Sequence, residues 1–370
     1  MYKRFNASVR STEQPLTARL SRHERVRAYL GRDASYDGVF VLAVRTTGVF
    51  CRPSCPARKP HPEHVRFFAT PAEALQAGFR PCRRCRPCEA DGRVPAWVSR
   101  LLEPAPRTDG RVRDADLKAL GVAPARARRF FKRRYGMTFQ AYRRAWRMGA
   151  ALQALRAGED LTMVGFDLGY TSTSGFRDAF ARTFGQPPGH GRTADCVVVQ
   201  TMPSPIGPLT LGATSRAVCV LEFVDRDGPP PLDRLRRSFA GTVLPGTNDL
   251  LAQLRTELAQ YFAGTRRDFS VPVEYHGTPF QCHTWDALRT IPYGTTISYE
   301  ALADRVGRAG AQRAVGSANG RNHVAIVIPC HRVVNKSGQL GGYGGGLWRK
   351  QFLLDHERRV CALSPNGGAA

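Results

Sequence analysis

The run Pro329-Cys330-His331-Arg332-Val333 sets a thiol beside an imidazole, and His356-Glu357 brings a carboxylate 26 residues beyond His331. Thiol, imidazole and carboxylate are the ingredients of a nucleophilic thiolate, with the imidazole as base and the acid orienting it. Pro329 restricts φ and removes a donor just before the cysteine. The apolar run Val324-Ala325-Ile326-Val327-Ile328 reads as a strand, so the thiol is expected at a strand end. Neighbours on a strand point to opposite faces, so Cys330 and His331 would need a bend or a bridging water to communicate. A lone Cys-His dipeptide is most simply a core cysteine beside a hydrogen-bonded histidine. The segment upstream favours chemistry, because residues 299–304 and 311–319 read as a helix pair with Arg313 at the start of the second helix. That arrangement enters DNA grooves.

A second thiol group lies near the other end. Cys51-Arg52-Pro53-Ser54-Cys55 and Cys82-Arg83-Arg84-Cys85 are short-spaced pairs separated by 26 residues. A short loop lets both sulfurs of a pair face one ion, so Cys51, Cys55, Cys82 and Cys85 are expected to enclose a tetrahedral Zn²⁺, with Cys88 outside the set. Two roles stay open. The ion could only stabilise a small domain. Alternatively, four thiolates on one zinc carry a net charge of about −2 and stay nucleophilic at neutral pH. Spacing does not separate these readings.

These groups need a scaffold, and 370 residues suffice for two or three domains. The chain carries 55 Lys plus Arg against 30 Asp plus Glu, a formal charge of +25, which implies a polyanionic partner. No stretch of 18 apolar residues and no terminal basic amphipathic helix is present, so nucleic acid is favoured over membrane. The first residues lack the apolar core of a secretory signal; a cytoplasmic location with reduced thiols is expected.

Residues 1–16 read as a basic arm, 17–92 as the cysteine-bearing domain and 93–106 as a linker. In 107–191 a faint repeat sets Leu120-Gly121, Phe131, Tyr135 and Gly136 against Leu168-Gly169, Phe180, Phe184 and Gly185. Two helix-turn-helix units are expected. Ser174 and Arg177, early in the last helix, and Arg129, in the arginine run of the first unit, are candidate DNA contacts. A solvated charged face is the simpler reading of that run. Phe130, Phe131, Phe176, Phe180 and Phe184 are expected in the core, while Gly165 and Gly175 weaken the second unit's helices. Short apolar alternations at Cys196-Val197-Val198-Val199 and in 217–223 read as strands. Helical periodicity returns over 250–262, 280–288 and 299–306. A tail follows residue 361.

At Pro329-Cys330-His331-Arg332-Val333 the sequence resembles the active-site signature of the O6-alkylguanine-DNA alkyltransferases, with Tyr299, Arg313, Asn322, Tyr343 and Glu357 in matching positions. Phe50-Cys51-Arg52-Pro53-Ser54-Cys55 and Gly78-Phe79-Arg80-Pro81-Cys82-Arg83-Arg84-Cys85 resemble the methylphosphotriester-accepting domain of the Ada family. Asp167-Leu168-Gly169-Tyr170 and Phe176-Arg177-Asp178-Ala179-Phe180 are similar to the AraC-type domain, and all three occur in Ada order.

The resemblance implies a multidomain α+β chain. A zinc-bound α+β domain and an all-α double helix-turn-helix domain would precede an alkyltransferase made of a ribonuclease-H-like subdomain (195–274) and a winged-helix-like catalytic subdomain (275–361). It implies irreversible methyl transfer from O6-methylguanine, and O4-methylthymine, to Cys330, and from phosphotriesters to Cys51. His331 would act as base, Glu357 would hold it, Asn322 would support the turn, Tyr299 would crowd the phosphate and Arg313 would fill the stack. The partners implied are alkylated and promoter double-stranded DNA and RNA polymerase, with a monomeric protein. Methylation of Cys51 would switch on transcription.

Overall fold

The computed structural model describes residues 20–85, 87–88, 97–98, 101, 114–189, 196–224, 235–236, 239 and 241–363, the side chains of 133 and 134 excepted. The basic arm expected over 1–16, and the tail beyond 363, lie outside them. The chain divides into two compact units, Met1–Asp91 and Gly92–Ala370.

In the first unit, α1 (Arg22–Leu30) precedes β1 (Val41–Val44), β2 (Val49–Cys51), β3 (Val65–Phe68), α2 (Pro71–Gln76) and β4 (Arg80–Pro81). The sheet order is β3-β1-β2-β4. Alternate residues of β1 face opposite sides. Val41 and Ala43 join Phe50, Phe68 and Ala74, whereas Leu42 joins Tyr29, Cys51, Cys55 and Val65. Both faces are covered, which is why β1 reads as a continuous apolar run.

The second unit opens with helices α3 (Asp114–Ala119), α4 (Pro124–Tyr135), α5 (Phe139–Arg156), α6 (Leu161–Asp167) and α7 (Thr173–Phe184). The repeat is structural: α3–α4 and α6–α7 are equivalent pairs, turned at Gly121 (φ 71°) and Gly169 (φ 80°), a region open to glycine at little cost. Gly165 does more than weaken its helix. A Cβ there would lie 3.3 Å from the Phe176 ring, so the bare backbone lets α7 settle against α6. Phe131, Phe176 and Phe180 are fully buried as expected, but Phe130 and Phe184 are only half-buried.

A four-stranded sheet of order β7-β6-β5-β8 follows, from β5 (Cys196–Met202), β6 (Leu209–Ala213), β7 (Val218–Phe223) and β8 (Thr242–Pro245). Val197, Val199, Val220 and Val243 of this sheet share one core with Leu117, Ala127 and Phe131 of the first helical pair and Phe139 of α5. Val98 and Leu101 belong to that core too, which ties part of the stretch read as a linker to packed structure. Helix α8 (Asp249–Ala263) buries Leu251, Leu254, Leu258 and Tyr261.

The remainder comprises α9 (Pro279–Arg289), β9 (Ile297–Ser298), α10 (Tyr299–Arg305), α11 (Gln312–Gly320), β10 (Val333–Val334) and α12 (Leu347–Leu363). Among the described residues no helix is long and apolar enough to cross a membrane.

One expectation fails. Residues 324–328 are not a strand: they form isolated bridges and a tight turn in which Ile326 has φ 73°. The Asn322 side chain takes the place of a ladder partner, accepting from Val324 N at 2.9 Å and donating to Ile328 O at 2.8 Å. The run is apolar because it is buried, with Val324 and Ile328 wholly inaccessible.

Candidate functional site

Cys330 therefore stands not at a strand end but at the head of a 3-10 turn, Cys330–Arg332. Asn319 Nδ2, on α11, donates to Cys330 O at 3.2 Å. The turn brings Cys330, His331 and Arg332 into the interior together, all less than a tenth exposed. Burial pushes the Cys330 thiol up, opposed by a hydrogen bond from Asn322, the Lys350 charge and a contact with Tyr343. At rest the sulfur carries its proton, so a base is required.

The candidate base is the next residue, His331. His331 Nε2 lies 2.9 Å from Glu357 Oε1, and both side chains are fully buried. Burial pushes the Glu357 carboxyl up, but hydrogen bonds and charge from His331 and Arg332 outweigh it, and the group sits well below the usual carboxylate range. Burial lowers His331 below the ordinary imidazole value, with Glu357 pulling the other way. The arrangement is thus a neutral imidazole beside a carboxylate, with Arg332 as its counter-charge. An ionised carboxylate only accepts, so Nε2 carries the hydrogen and Nδ1 keeps its lone pair. Nδ1 has no protein partner in the described structure, and a buried polar atom of this kind is normally met by water.

Glu357 is held from several elements. Arg332 donates Nε to Oε2 and Nη2 to Oε1, each at 2.9 Å. Gly294 N donates to Oε2, and Tyr261 Oη, reaching in from α8, donates to Oε1, also at 2.9 Å. Arg332, Tyr261 and Gly294 were not singled out in the sequence. Arg332 could have been, since a buried carboxylate needs a cation and Arg332 adjoins the histidine. Tyr261 lies 96 residues from Glu357 and leaves no spacing signal. Lys350, also overlooked, is buried under the site; burial pushes it down to about 8, against an opposing pull from Cys330.

Beside the thiol opens a cleft of about 670 Å³ lined by Tyr299, Gln312, Arg313, Gly316, Gly342 and Tyr343. Tyr299 is half-buried, and burial followed by the nearby Cys330 raises its hydroxyl, so it stays protonated. Arg313 is exposed near the start of α11. Tyr299 and Arg313 thus line this cleft, Asn322 bonds the turn that carries Cys330, and His331 and Glu357 are paired beside it. Ser174 and Arg177 are exposed at the start of α7 and Arg129 on α4, away from the thiol in sequence and on separate helices.

In the first unit, β4 pairs in parallel with β2, and Cys82 N donates to Phe50 O at 2.9 Å. That pairing sets the second cysteine pair beside the first. The knuckle of the first pair is fixed by Cys55 N donating to Arg52 O, and by Ser54 donating N and Oγ to Asp37. The sulfurs of Cys51, Cys55, Cys82 and Cys85 all lie within 4.8 Å of one another, while Cys88 is exposed and outside the group. Four sulfurs this close conflict without a cation: Cys51 is pushed up by hydrogen bonding to Cys55, and Cys55 down. A tetrahedral divalent ion resolves the conflict, since sulfurs about 2.3 Å from a zinc are separated by distances of this order. The set fits one Zn²⁺. Exposure does not select Cys51, which is more buried than Cys82 and Cys85.

Four family models match in succession. These are the metal binding domain of Ada (residues 24–88), a helix-turn-helix domain (117–194), and the ribonuclease-like (197–275) and DNA binding (279–359) domains of 6-O-methylguanine DNA methyltransferase. The bifunctional transcriptional activator/DNA repair enzyme Ada of Escherichia coli is 35% identical over 91% of this chain and 97% of its own length. The regulatory protein ada of Salmonella typhimurium is 38% identical over 88% of this chain and 94% of its own. A methylated-DNA–protein-cysteine methyltransferase of Mycolicibacterium paratuberculosis is 45% identical, covering 45% of this chain and 94% of that protein.

Proposed function

The chain belongs to the family of bifunctional Ada proteins, and we propose that Cys330 and Cys51 are its two methyl acceptors, for damaged bases and for methylated backbone phosphates. The protein is a methylated-DNA–protein-cysteine methyltransferase and transcription activator, and DNA is its partner. One observation carries the assignment of Cys330: a buried thiol beside a neutral imidazole whose free nitrogen is available because Glu357 holds the other.

At this site the duplex meets α11, Arg313 fills the gap left in the stack, and the damaged guanine turns into the cleft beside Tyr299. The Cys330 proton passes through a water to His331 Nδ1. The sulfur attacks the methyl carbon in line, a C–S bond forms and the C–O6 bond breaks with its electron pair going to guanine. Tyr299, held protonated, supplies the proton that leaves neutral guanine. Asn322 keeps the turn that aims the thiol. Thioethers do not hydrolyse, so Cys330 acts once; O4-methylthymine fits the same chemistry.

At the other site Cys51, Cys55, Cys82 and Cys85 hold the metal. When bound, zinc keeps these thiols ionised and nucleophilic at neutral pH. The Cys51 sulfur attacks the methyl carbon of a phosphotriester, and the C–O electrons stay with the phosphate, leaving a diester. The cluster loses one negative charge, which removes repulsion toward DNA phosphates and strengthens a salt-dependent contact. Ser174, Arg177 and Arg129 then contact promoter DNA, with RNA polymerase as partner, the protein acting as a cytoplasmic monomer.

Incubation with a duplex carrying a single O6-methylguanine tests the reading. One methyl on the Cys330 peptide, with guanine restored, is expected. Folded protein whose Cys330 stays unmodified would sink it.

A further inference from the structure

Glu357 Oε1 is overcommitted. It accepts from His331 Nε2, Arg332 Nη2 and Tyr261 Oη, each at 2.9 Å, so the three donors share the lone pairs of one oxygen. Two of the three belong to the catalytic turn itself. The third comes from α8, on the part of the chain matched by the ribonuclease-like model rather than the DNA binding model.

The placement of Tyr261 is tightly determined. The side chain is fully buried, its ring packed against Phe269, Tyr293 and His356, with centroids 5.3–5.9 Å away. Its own carbonyl meets His356 Nε2 at 2.7 Å, which fixes α8 against α12 one residue from Glu357. A phenol buried among aromatic rings needs its hydroxyl satisfied, but a core phenylalanine would fill the same space without that demand. The hydroxyl is spent on the carboxylate that orients the base.

We propose that Tyr261 is a positioning residue for methyl transfer, a competing donor that limits how strongly Glu357 binds the His331 N–H and so sets the strength of the base that adjoins Cys330 in the turn. This inference rests on the assignment of Cys330 as acceptor. A carboxylate relieved of one donor concentrates its charge on those that remain. The His331–Glu357 bond then strengthens and the imidazole holds a proton more firmly. Burial lowers His331 and Glu357 raises it, so the balance is sensitive to what else Glu357 accepts. The other ionisable groups facing this pair are Arg332 on the turn, Lys350 on α12, Tyr293 before β9 and Tyr343 before α12, with Cys330 next to His331 in the chain. All remain in place when only the Tyr261 hydroxyl is removed.

The test is the pH profile of single-turnover methyl transfer from O6-methylguanine duplex to Cys330, in the zinc-loaded full chain and in Tyr261→Phe. The acid limb of the variant is expected to move up by about half a pH unit, a roughly threefold change in the ratio of protonated to neutral imidazole. An unmoved limb, with only a uniformly slower rate or lower melting temperature, assigns Tyr261 to packing and overturns the proposal. A long-range ¹⁵N–¹H titration of His331 in the same two proteins gives the answer even if the variant transfers slowly: a raised midpoint supports it, an equal midpoint refutes it. Wild-type protein that leaves Cys330 unmethylated would instead refute the underlying assignment, so the two failures are distinguishable.

Discussion

As the two proposed methyl acceptors, the thiols at Cys330 and Cys51 solve one problem in opposite ways. A nucleophilic sulfur must lose its proton at neutral pH. Around Cys330 the unit supplies everything from its own side chains: a neutral base, an ionised Glu357 and a buried counter-cation, Arg332. Around Cys51 the unit supplies four sulfurs within 4.8 Å of one another and a nearby ammonium, Lys59, and leaves the rest of the charge to a metal ion. The contrast teaches that a buried thiol can be activated by a proton relay or by a cation, and that the first requires far more of the fold.

The largest expected effects separate the sites outright. Cys330→Ala should reduce transfer from O6-methylguanine to the level of DNA without protein, while phosphotriester transfer to Cys51 stays at wild-type yield, both read by peptide mass. Cys51→Ala should do the reverse and abolish activation in a promoter reporter; activation surviving that change would contradict the charge switch.

Glu357→Gln comes next. It leaves Arg332 buried without its partner, a change that costs about 3–5 kcal/mol, and it should slow Cys330 methylation about a hundredfold or more. Chemical denaturation and single-turnover kinetics check the two effects, and a variant of wild-type stability would mean that Arg332 finds another acceptor.

These expectations rest on groups that the sequence revealed unevenly. The cysteine pairs were legible because zinc ligands close short loops, so spacing itself carries geometry. The paired helices were legible because the repeat includes the turn glycines Gly121 and Gly169. Cys330 and His331 could be read as neighbours, but not as members of a turn. Residues 324–328 have the composition of a strand, yet the Asn322 side chain satisfies Val324 N and Ile328 O locally. The donors to Glu357 were hidden for another reason. Gly294 and Tyr261 reach it across 63 and 96 residues, and packing at that separation leaves no period to count.

Acid should sharpen the comparison further. The lowered Glu357 contributes stability that is present above the ordinary carboxylate range and lost as pH falls through its folded value. The lowered His331 adds to this, because below its ordinary 6.5 the unfolded chain takes up a proton that the buried ring resists. Both slopes have the same sign, so the second unit should melt at progressively lower temperature from about pH 6.5 downward, as calorimetry would record. The smallest effect is expected at the cysteine knuckle. Ser54→Ala removes the hydroxyl that donates to Asp37 and should cost the zinc-loaded first unit about 1 kcal/mol, without altering transfer to Cys330.

The most direct test presents both lesions at once. The full chain is incubated with DNA carrying O6-methylguanine and methylphosphotriesters, with and without prior removal of zinc by a chelator, and every cysteine peptide is weighed. Methyl on both Cys330 and Cys51 in the zinc-loaded protein, and on Cys330 alone after chelation, is the predicted result. Loss of Cys330 methylation on chelation, or methyl on Cys51 without metal, would contradict the division between a relay-activated and a metal-activated thiol.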